Sequence, residues 1–590
     1  MVQSIVSDEY SPITGFVFIF NLIVGAGALT IPHAFVQTGL FYGIALLALL
    51  AVTSYITATF VVECIAGVHA VDKMEATKSE RKDKVAFRGP AYPKERQVAL
   101  NESLGQEEAV PLLVESKEDR STYARLDGIN YEFDISNKTE MAQLAQRLFN
   151  RQGLYAFSAC VVVYLYGDLA IYAVAVPKTL REMICPRPSR ESVWVCYGSW
   201  NSFQVYQMFV LVFAVIFGSF AMGDMQKTKS MQLITTIIRH TSFGLMIVLA
   251  IIGIIQHQGR SLTQVLAYED PTQISTFLGV CIYSFMCHHS IPGLVAPITD
   301  KKKVGQVLRG AFLAVFIVYI VLCGTATFRF TPEEIHDVYT LNFLDHHTPR
   351  IEAYFLNLFP VFTLSANFPL IAITLRETLI TLFQGAVGTP EALLGDCEVN
   401  ASSRVSRKRY YYGFAALIPP VLIAFFTEDV TLLVGITGAY AGLGIQWIVP
   451  TCLVFALRKR LDQSRADDLC MEQCDVETQV PVSAHNPFSS PFHHRAWVYS
   501  VLSLSIVFLD VQNSVPILWY SITNGKRLGN QRSVPFFCLE HVHDWLFSLA
   551  FHFVFFLLTV PSEILDNLGT IKRIAIYKPD VYIIQRRGIH

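Results

Sequence analysis

The chain has 590 residues, 52% of them apolar and 16% charged, with a formal net charge of −2 and a mean hydropathy of +0.40. That balance excludes a basic nucleic-acid-binding protein and an acidic disordered one. It fits a chain whose main partner is the lipid bilayer.

The opening stretch MVQSIVSDEYSP lacks the basic segment of a secretory signal, and the apolar run that starts near residue 13 continues too far for one, so it reads as the first span. Runs of about 17 to 25 mostly apolar residues cross roughly 30 Å of hydrocarbon as helices. They fall near 13–37, 40–66, 152–177, 204–222, 238–256, 274–297, 308–328, 352–384, 410–426 and 431–457, with an eleventh beginning near Trp497. The expected fold is therefore an all-α polytopic membrane protein of about 11 spans.

The spans divide the chain into spans 1 and 2 within 1–67, an insert at 68–150, spans 3 to 10 within 151–457, a linker at 458–495 and a C-terminal segment at 496–590. The insert mixes KSERKDK with NESLGQEEAV and has no sustained apolar period, which predicts a disordered or weakly structured loop. Past residue 496 the runs Trp497 to Leu509 and Trp545 to Val560 are short, and Asp510 interrupts the first. One span, two spans and an interfacial hairpin all stay open there.

Orientation follows from Lys and Arg in the short loops. With a cytosolic N-terminus, fourteen Lys and Arg lie on the cytosolic side and seven on the other, although Lys178, Arg181, Arg187 and Arg190 run against the trend. The insert and linker are then cytosolic, and the Asn-x-Ser/Thr sites at Asn101, Asn137 and Asn400 are hidden from glycosylation. Plasma and endolysosomal membranes are both open. Of the twelve cysteines most lie in apolar runs as small core residues, whereas Cys185 and Cys196 share one loop whose spacing permits a disulfide without requiring it.

Two spans are interrupted. The first contains FNLIVGAGALTIPHAF, with Gly25, Gly27 and Pro32, and Gly25-Ala26-Gly27 has two readings: close helix packing, or an unwound segment that frees backbone groups to hold a ligand. The sixth contains Cys287, His288, His289 and Ser290 followed by Pro292 and Gly293, and two adjacent imidazoles at mid-span need a polar interior. Broken segments at corresponding positions of two five-span halves are a pointer to a transporter's binding site. Asp168 sits inside the third span, where an ionised carboxylate costs roughly 2.5 to 3.5 kcal/mol; a proton carrier and a buried structural hydrogen-bonding group are its two readings.

The stretches NLIVGAGALTIPHAF, YLYGDLAIYAV and SFMCHHSIP resemble the amino acid/auxin permease family, over roughly Tyr10 to Arg460 apart from the insert. The resemblance implies an inverted repeat of five plus five spans with broken first and sixth helices, moving amino acids by alternating access with sodium or protons. A zwitterionic substrate then sets its carboxylate against the backbone amides of Gly25, Ala26, Gly27, Ala28 and Leu29, at the positive end of a half-helix. Its ammonium meets the carbonyls of Phe285, Cys287 and His288. For a sodium ion the resemblance implies Asn21 with a hydroxyl from Thr363 or Ser365; for protons the candidates are Asp168, His288 and His289. Sodium, as a coupling ion, is the favoured expectation, and no other cofactor is implied.

Arg376 and Glu377 read as an interface pair without a transport role. No HExxH or GxSxG pattern occurs, and Cys470 and Cys474 lack partners at zinc spacing, so the sequence offers no sign of an enzyme. Two alternatives stand beside the transporter: an amino-acid sensor that binds without flux, and a structural membrane protein with a degenerate pocket.

Overall fold

A computed structural model describes residues 9–87, 133–136, 139–185, 195–197, 200–222, 229–344, 350–386, 398–472 and 486–524. Among these residues the protein is built of helices, apart from a small hairpin in which Val195–Tyr197 pairs with Trp200–Asn201. Eight helices among the described residues are long and apolar enough to cross a membrane. A ninth span arises when Pro12–Ile23 and Gly27–Thr38, bent by 56° at a short break, are counted together, and Tyr410–Phe426 adds a shorter apolar helix. Arg495–Asn524 ends the described chain. The protein is thus an all-α polytopic membrane protein, and its helices fall on the runs read from the sequence.

Span 3, Arg151–Ile184, is the central post: every residue from Asp168 to Thr179 is buried. The outer helices behave oppositely. Leu313, Ile317 and Val321 on span 7 (Val304–Arg329) are 41% to 57% exposed at a spacing of four residues, which is one apolar stripe turned to lipid. Inside the bundle small residues let backbones meet, as membrane helices require when no hydrophobic force separates lipid from core. A Cβ on Gly438 would lie 2.8 Å from the Gly279 carbonyl carbon, and one on Gly279 would lie 2.8 Å from that of Gly435. Spans 6 and 10 therefore cross in backbone contact, and span 10 relaxes into two wide π turns, Gly438–Gly442 and Gly444–Ile448, beside that crossing.

Several boundaries differ from the sequence expectation. The second helix runs from Leu40 to Phe87, well past residue 66 and into the insert. Its continuation, VDKMEATKSERKDKVAF, holds strong helix formers and meets no breaker until Gly89-Pro90. The insert also closes on a short capped helix, Met141–Leu148, while its 88–132 part, including Asn101, lies outside the described residues, as does Asn137. Asn400 falls on the helix Glu398–Phe426. Asp510 does not end the last helix, because a single carboxylate removes no backbone bond; beside it Gln512 binds the Ser275 hydroxyl and carbonyl of span 6. The region of Trp545 to Val560 lies outside the described residues.

The linker is likewise more than a linker. Span 10 continues as a helix to Glu472, and residues 486–494 fold back between spans 2 and 10. There Arg458 grips Glu63 with two bonds of 2.8 Å, the Ser490 amide donates to the same carboxylate at 2.9 Å, and the Ser490 and Thr59 hydroxyls meet at 2.7 Å. Phe492 packs its ring against Tyr55 and Trp497, and Ser490 is only 2% exposed. On the same face the Tyr10 amide donates to the Pro297 carbonyl at 3.0 Å, tying the start of the chain to the loop after span 6.

The opposite face, where span 1 ends, carries the Cys185–Cys196 disulfide and a ring of ion pairs. Lys178 bonds Asp337 at 2.7 Å and the Glu428 carbonyl at 2.8 Å, while Arg181 binds Glu428 and Glu182. The Val430 amide closes the ring on Asp337 at 3.0 Å. Two of the four cations that ran against the charge trend are thereby engaged in pairs.

Candidate functional site at two broken helices

In span 1 the helix stops at Ile23. Val24 leaves the helical region, with ψ at 72°, and the Gly25 amide turns back onto the Ile23 carbonyl at 2.8 Å. The second half-helix starts with the tight bonds from Ala28 to Gly25 and from Leu29 to Ala26, which leaves the amides of Ala26 and Gly27 at its head. Val24, Ala26, Gly27, Ala28 and Leu29 are buried, whereas Gly25 is half-buried.

The two glycines do different things. A Cβ on Gly27 would lie 2.7 Å from Ser284 Cα and 2.9 Å from its Cβ, so Gly27 is required by contact with the end of the broken helix in span 6. A Cβ on Gly25 would meet nothing nearer than the Leu22 carbonyl at 3.7 Å. The triplet is thus divided between its glycines: close packing at Gly27, an unwound turn with room beside it at Gly25.

Span 6 runs as Ile274–Ser284, breaks through Phe285, Met286 and Cys287, and resumes as a single 3-10 turn, His288–Ser290, before Ile291–Val295. The Cys287 carbonyl accepts from the Ser290 and Ile291 amides. Phe285 is fully buried against the rings of Phe312 and Tyr319. His288 turns toward span 2, where its Nε2 lies 2.9 Å from Thr57 Oγ1 and 3.1 Å from the Ser54 carbonyl, and Gln446 of span 10 donates to the Ser54 hydroxyl. Its Nδ1 and that of His289 are buried without a hydrogen-bond partner among the described residues. The imidazole of His288 is thus engaged with a neighbouring helix, and its ring serves the joint between spans 2, 6 and 10.

One side chain joins the two breaks. The Tyr319 hydroxyl of span 7 donates to the Ile23 carbonyl at 3.2 Å and to the Ser284 carbonyl at 3.0 Å, which are the last helical residues before each break. The carbonyl end of the first half-helix has a second cap. Arg239, from span 5 (Lys229–Ile255), points its Nη1 at the Asn21 carbonyl at 2.7 Å, the Val24 carbonyl at 2.9 Å and the Asn21 side-chain oxygen at 3.2 Å. A cation at the carbonyl terminus of a helix meets its partial negative charge.

Asp168 faces the sixth break from span 3. Tyr283 donates to its Oδ1, the Tyr164 hydroxyl bonds the same carboxylate, and the ring of Tyr164 packs 5.6 Å from that of His289. The carboxylate is 7% exposed. Thr363 and Ser365 on the helix Arg350–Ala386 are buried too; Thr363 donates to the Phe359 carbonyl one turn back at 2.8 Å, and the Ser365 hydroxyl has no hydrogen-bond partner among the described residues. Arg376 lies 1% exposed beside Glu377.

Sequence reading missed Arg239, Tyr319 and Tyr283. Arg239 carried a signal, because it stands eleven residues into the fifth helix, directly after Ile237 and Ile238, and an ionisable residue at membrane depth marks a pathway or a partner. The tyrosines carried none, since a phenol in an apolar run is ordinary core.

A membrane-embedded bundle whose first and sixth spans break side by side defines the class: a helical membrane protein with half-helix ends facing its interior. The sequence matches the family described as transmembrane amino acid transporter protein over residues 8–79 and 130–476, and the chain belongs to that family. Within it the chain is 35% identical to transmembrane protein 104 of Homo sapiens, over 84% of this chain and 94% of the relative, and 35% identical to that of Pongo abelii over the same shares. The transmembrane protein 104 homolog of Drosophila melanogaster is 33% identical over 86% of this chain and 98% of the relative. The resemblance carried by the three motifs points to the same branch.

Proposed function

We propose that the chain is a secondary active transporter that carries an amino acid by alternating access. The observation that supports this reading is the meeting of the two breaks: Tyr319 bonds the last carbonyl of each half-helix, and Gly27 packs on Ser284. Opposed half-helix ends offer amides to an anion and carbonyls to a cation, which is the charge pattern of a zwitterion. The carboxylate goes to the amides at Ala26 and Gly27, beside the half-buried Gly25, and the ammonium to the turn of the sixth break, at the carbonyls of Phe285 and Met286, since that of Cys287 already accepts from the Ser290 and Ile291 amides. No side chain of that turn is needed for this, and His288 acts by holding the turn against span 2.

The N-terminus is cytosolic in this reading. The excess of Lys and Arg supports it, and so does the disulfide, because Cys185–Cys196 lies on the face opposite the N-terminus and such bonds persist in oxidising compartments.

The test is uptake of radiolabelled amino acids by purified full-length protein in liposomes, with binding measured in parallel by thermal shift. Saturable uptake of at least one amino acid is expected. A ligand that shifts melting without flux would convert the protein to a sensor, and no shift with any amino acid would leave a structural membrane protein.

A further inference from the structure

The Asn21 oxygen that the sequence assigned to a sodium ion already faces a cation. We propose that Arg239 is the resident cation of the first break, fixed to the chain where a coupling ion would otherwise neutralise the half-helix, and that transport proceeds without sodium. The inference rests on the transport reading for its second half only.

The geometry carries the first half. One nitrogen of the guanidinium is within 3.2 Å of three oxygens, the Asn21 carbonyl, the Val24 carbonyl and Asn21 Oδ1. With Tyr319 on the Ile23 carbonyl, the carbonyls of Asn21 and Ile23 in the last helical turn and of Val24 just past it are met by side chains of spans 5 and 7. A helix terminus in a membrane needs such partners, because no water reaches its orphan carbonyls in hydrocarbon. Arg239 in turn needs this site: it is 8% exposed, and a guanidinium at membrane depth persists when it faces backbone carbonyls or another polar group.

Sodium does not fit the same place. It is a hard cation that gathers several oxygens around itself, and here the two backbone carbonyls and the amide oxygen already converge on a positive charge. A metal ion bound to them would sit against the guanidinium in a low-dielectric interior, where like charges repel strongly. The two candidate hydroxyls lie on another helix, where Thr363 donates to the Phe359 carbonyl and Ser365 has no hydrogen-bond partner among the described residues, and neither offsets the charge of the guanidinium. The residues present thus fit a built-in cation and not a diffusible one.

The experiment compares thermal unfolding of purified full-length protein in sodium chloride and in choline chloride at equal ionic strength, with no substrate present. The wild type is expected to melt at the same temperature in both. Arg239→Ala is expected to melt lower in choline and to recover part of the loss in sodium, since the three oxygens then lose the guanidinium; Arg239→Lys restores a cation and should melt closer to wild type, again without a sodium response. A sodium-specific rise in the wild-type midpoint overturns the proposal, as does an Arg239→Ala variant that melts like wild type or ignores sodium. If Arg239→Ala does not fold, the wild-type and Arg239→Lys arms decide alone. Liposome uptake of amino acids by the wild type, expected to be equal in sodium and choline, tests the second half. Absence of uptake in both salts rejects the transport reading and leaves the melting result standing.

Discussion

At the first break the carbonyls of Asn21 and Val24 meet a guanidinium and that of Ile23 a phenol, and the turn beyond them keeps a half-buried glycine. At the sixth break Ser284 shares the same phenol, and the turn beyond it is packed with Phe285, Cys287 and His288, all with no exposure. One break is trimmed electrostatically and left with room; the other is filled and fastened. The difference teaches that a broken helix is not by itself a binding site. Its backbone becomes available only where the freed groups are not already taken by the protein's own side chains, and that condition is met best around Gly25 to Gly27.

The largest effect that separates the two breaks is expected at their contact. Gly27→Val forces a branched side chain into the Ser284 backbone, and overpacking of this kind costs about 1–3 kcal/mol or more; a clear fall in melting temperature and loss of ligand binding together are the expected result. Gly25→Ala is the counterpart. Its methyl group finds space, so melting should hold while any ligand affinity falls, and an unchanged affinity would show that the room beside Gly25 is not the site.

Tyr319→Phe comes next. It strips the shared donor from two buried carbonyls, of which that of Ile23 keeps the Gly25 amide, and an unsatisfied buried group costs roughly 1–3 kcal/mol. Unfolding should shift down by an amount of that order, with the aromatic packing on Phe285 kept. A melting curve identical to wild type would mean that the two breaks are held together without it.

The smallest effect lies outside both breaks, in the ring of ion pairs. Burial works to raise the Asp337 carboxyl, but Lys178 and the Val430 amide outweigh it and hold the group below the usual carboxylate range. A depressed carboxylate stabilises the fold at all pH values above its unfolded pKa of about 4 and loses that contribution as pH falls through the lower folded value. From pH 8 to 5 the Asp337→Asn difference in melting temperature should therefore stay constant, and it should shrink only in stronger acid. A difference that changes near neutral pH would place a different titrating group in the ring.

The spans and their breaks were legible because a membrane imposes length and composition on each helix separately, so that Gly25, Gly27, Pro32, Pro292 and Gly293 stand out against uniform apolar runs. The disulfide was legible as an option, since two cysteines shared a loop. What completes the site was not. Arg239 caps residues more than two hundred positions earlier, and Tyr319 joins carbonyls of residues 23 and 284. Such partnerships depend on how helices rotate against each other, which a single sequence does not record. His288 shows the same limit from the other side: the sequence marked it as polar at membrane depth, and its partners on span 2, Thr57 and Ser54, decide that it fastens a turn.

The segment 486–494 works as a clasp. Span 2 and span 10 are held there by a carboxylate, a guanidinium, a serine and an aromatic ring, and any motion that parts the two helices on that face must first release Glu63 from Arg458 and Ser490. Removing one partner of a buried ion pair costs roughly 3–5 kcal/mol, because the other charge is left without compensation. Hydrogen exchange at the Ser490 amide reads this clasp directly: slow exchange is the expected result, while exchange at the rate of a free peptide would mean that the clasp does not hold.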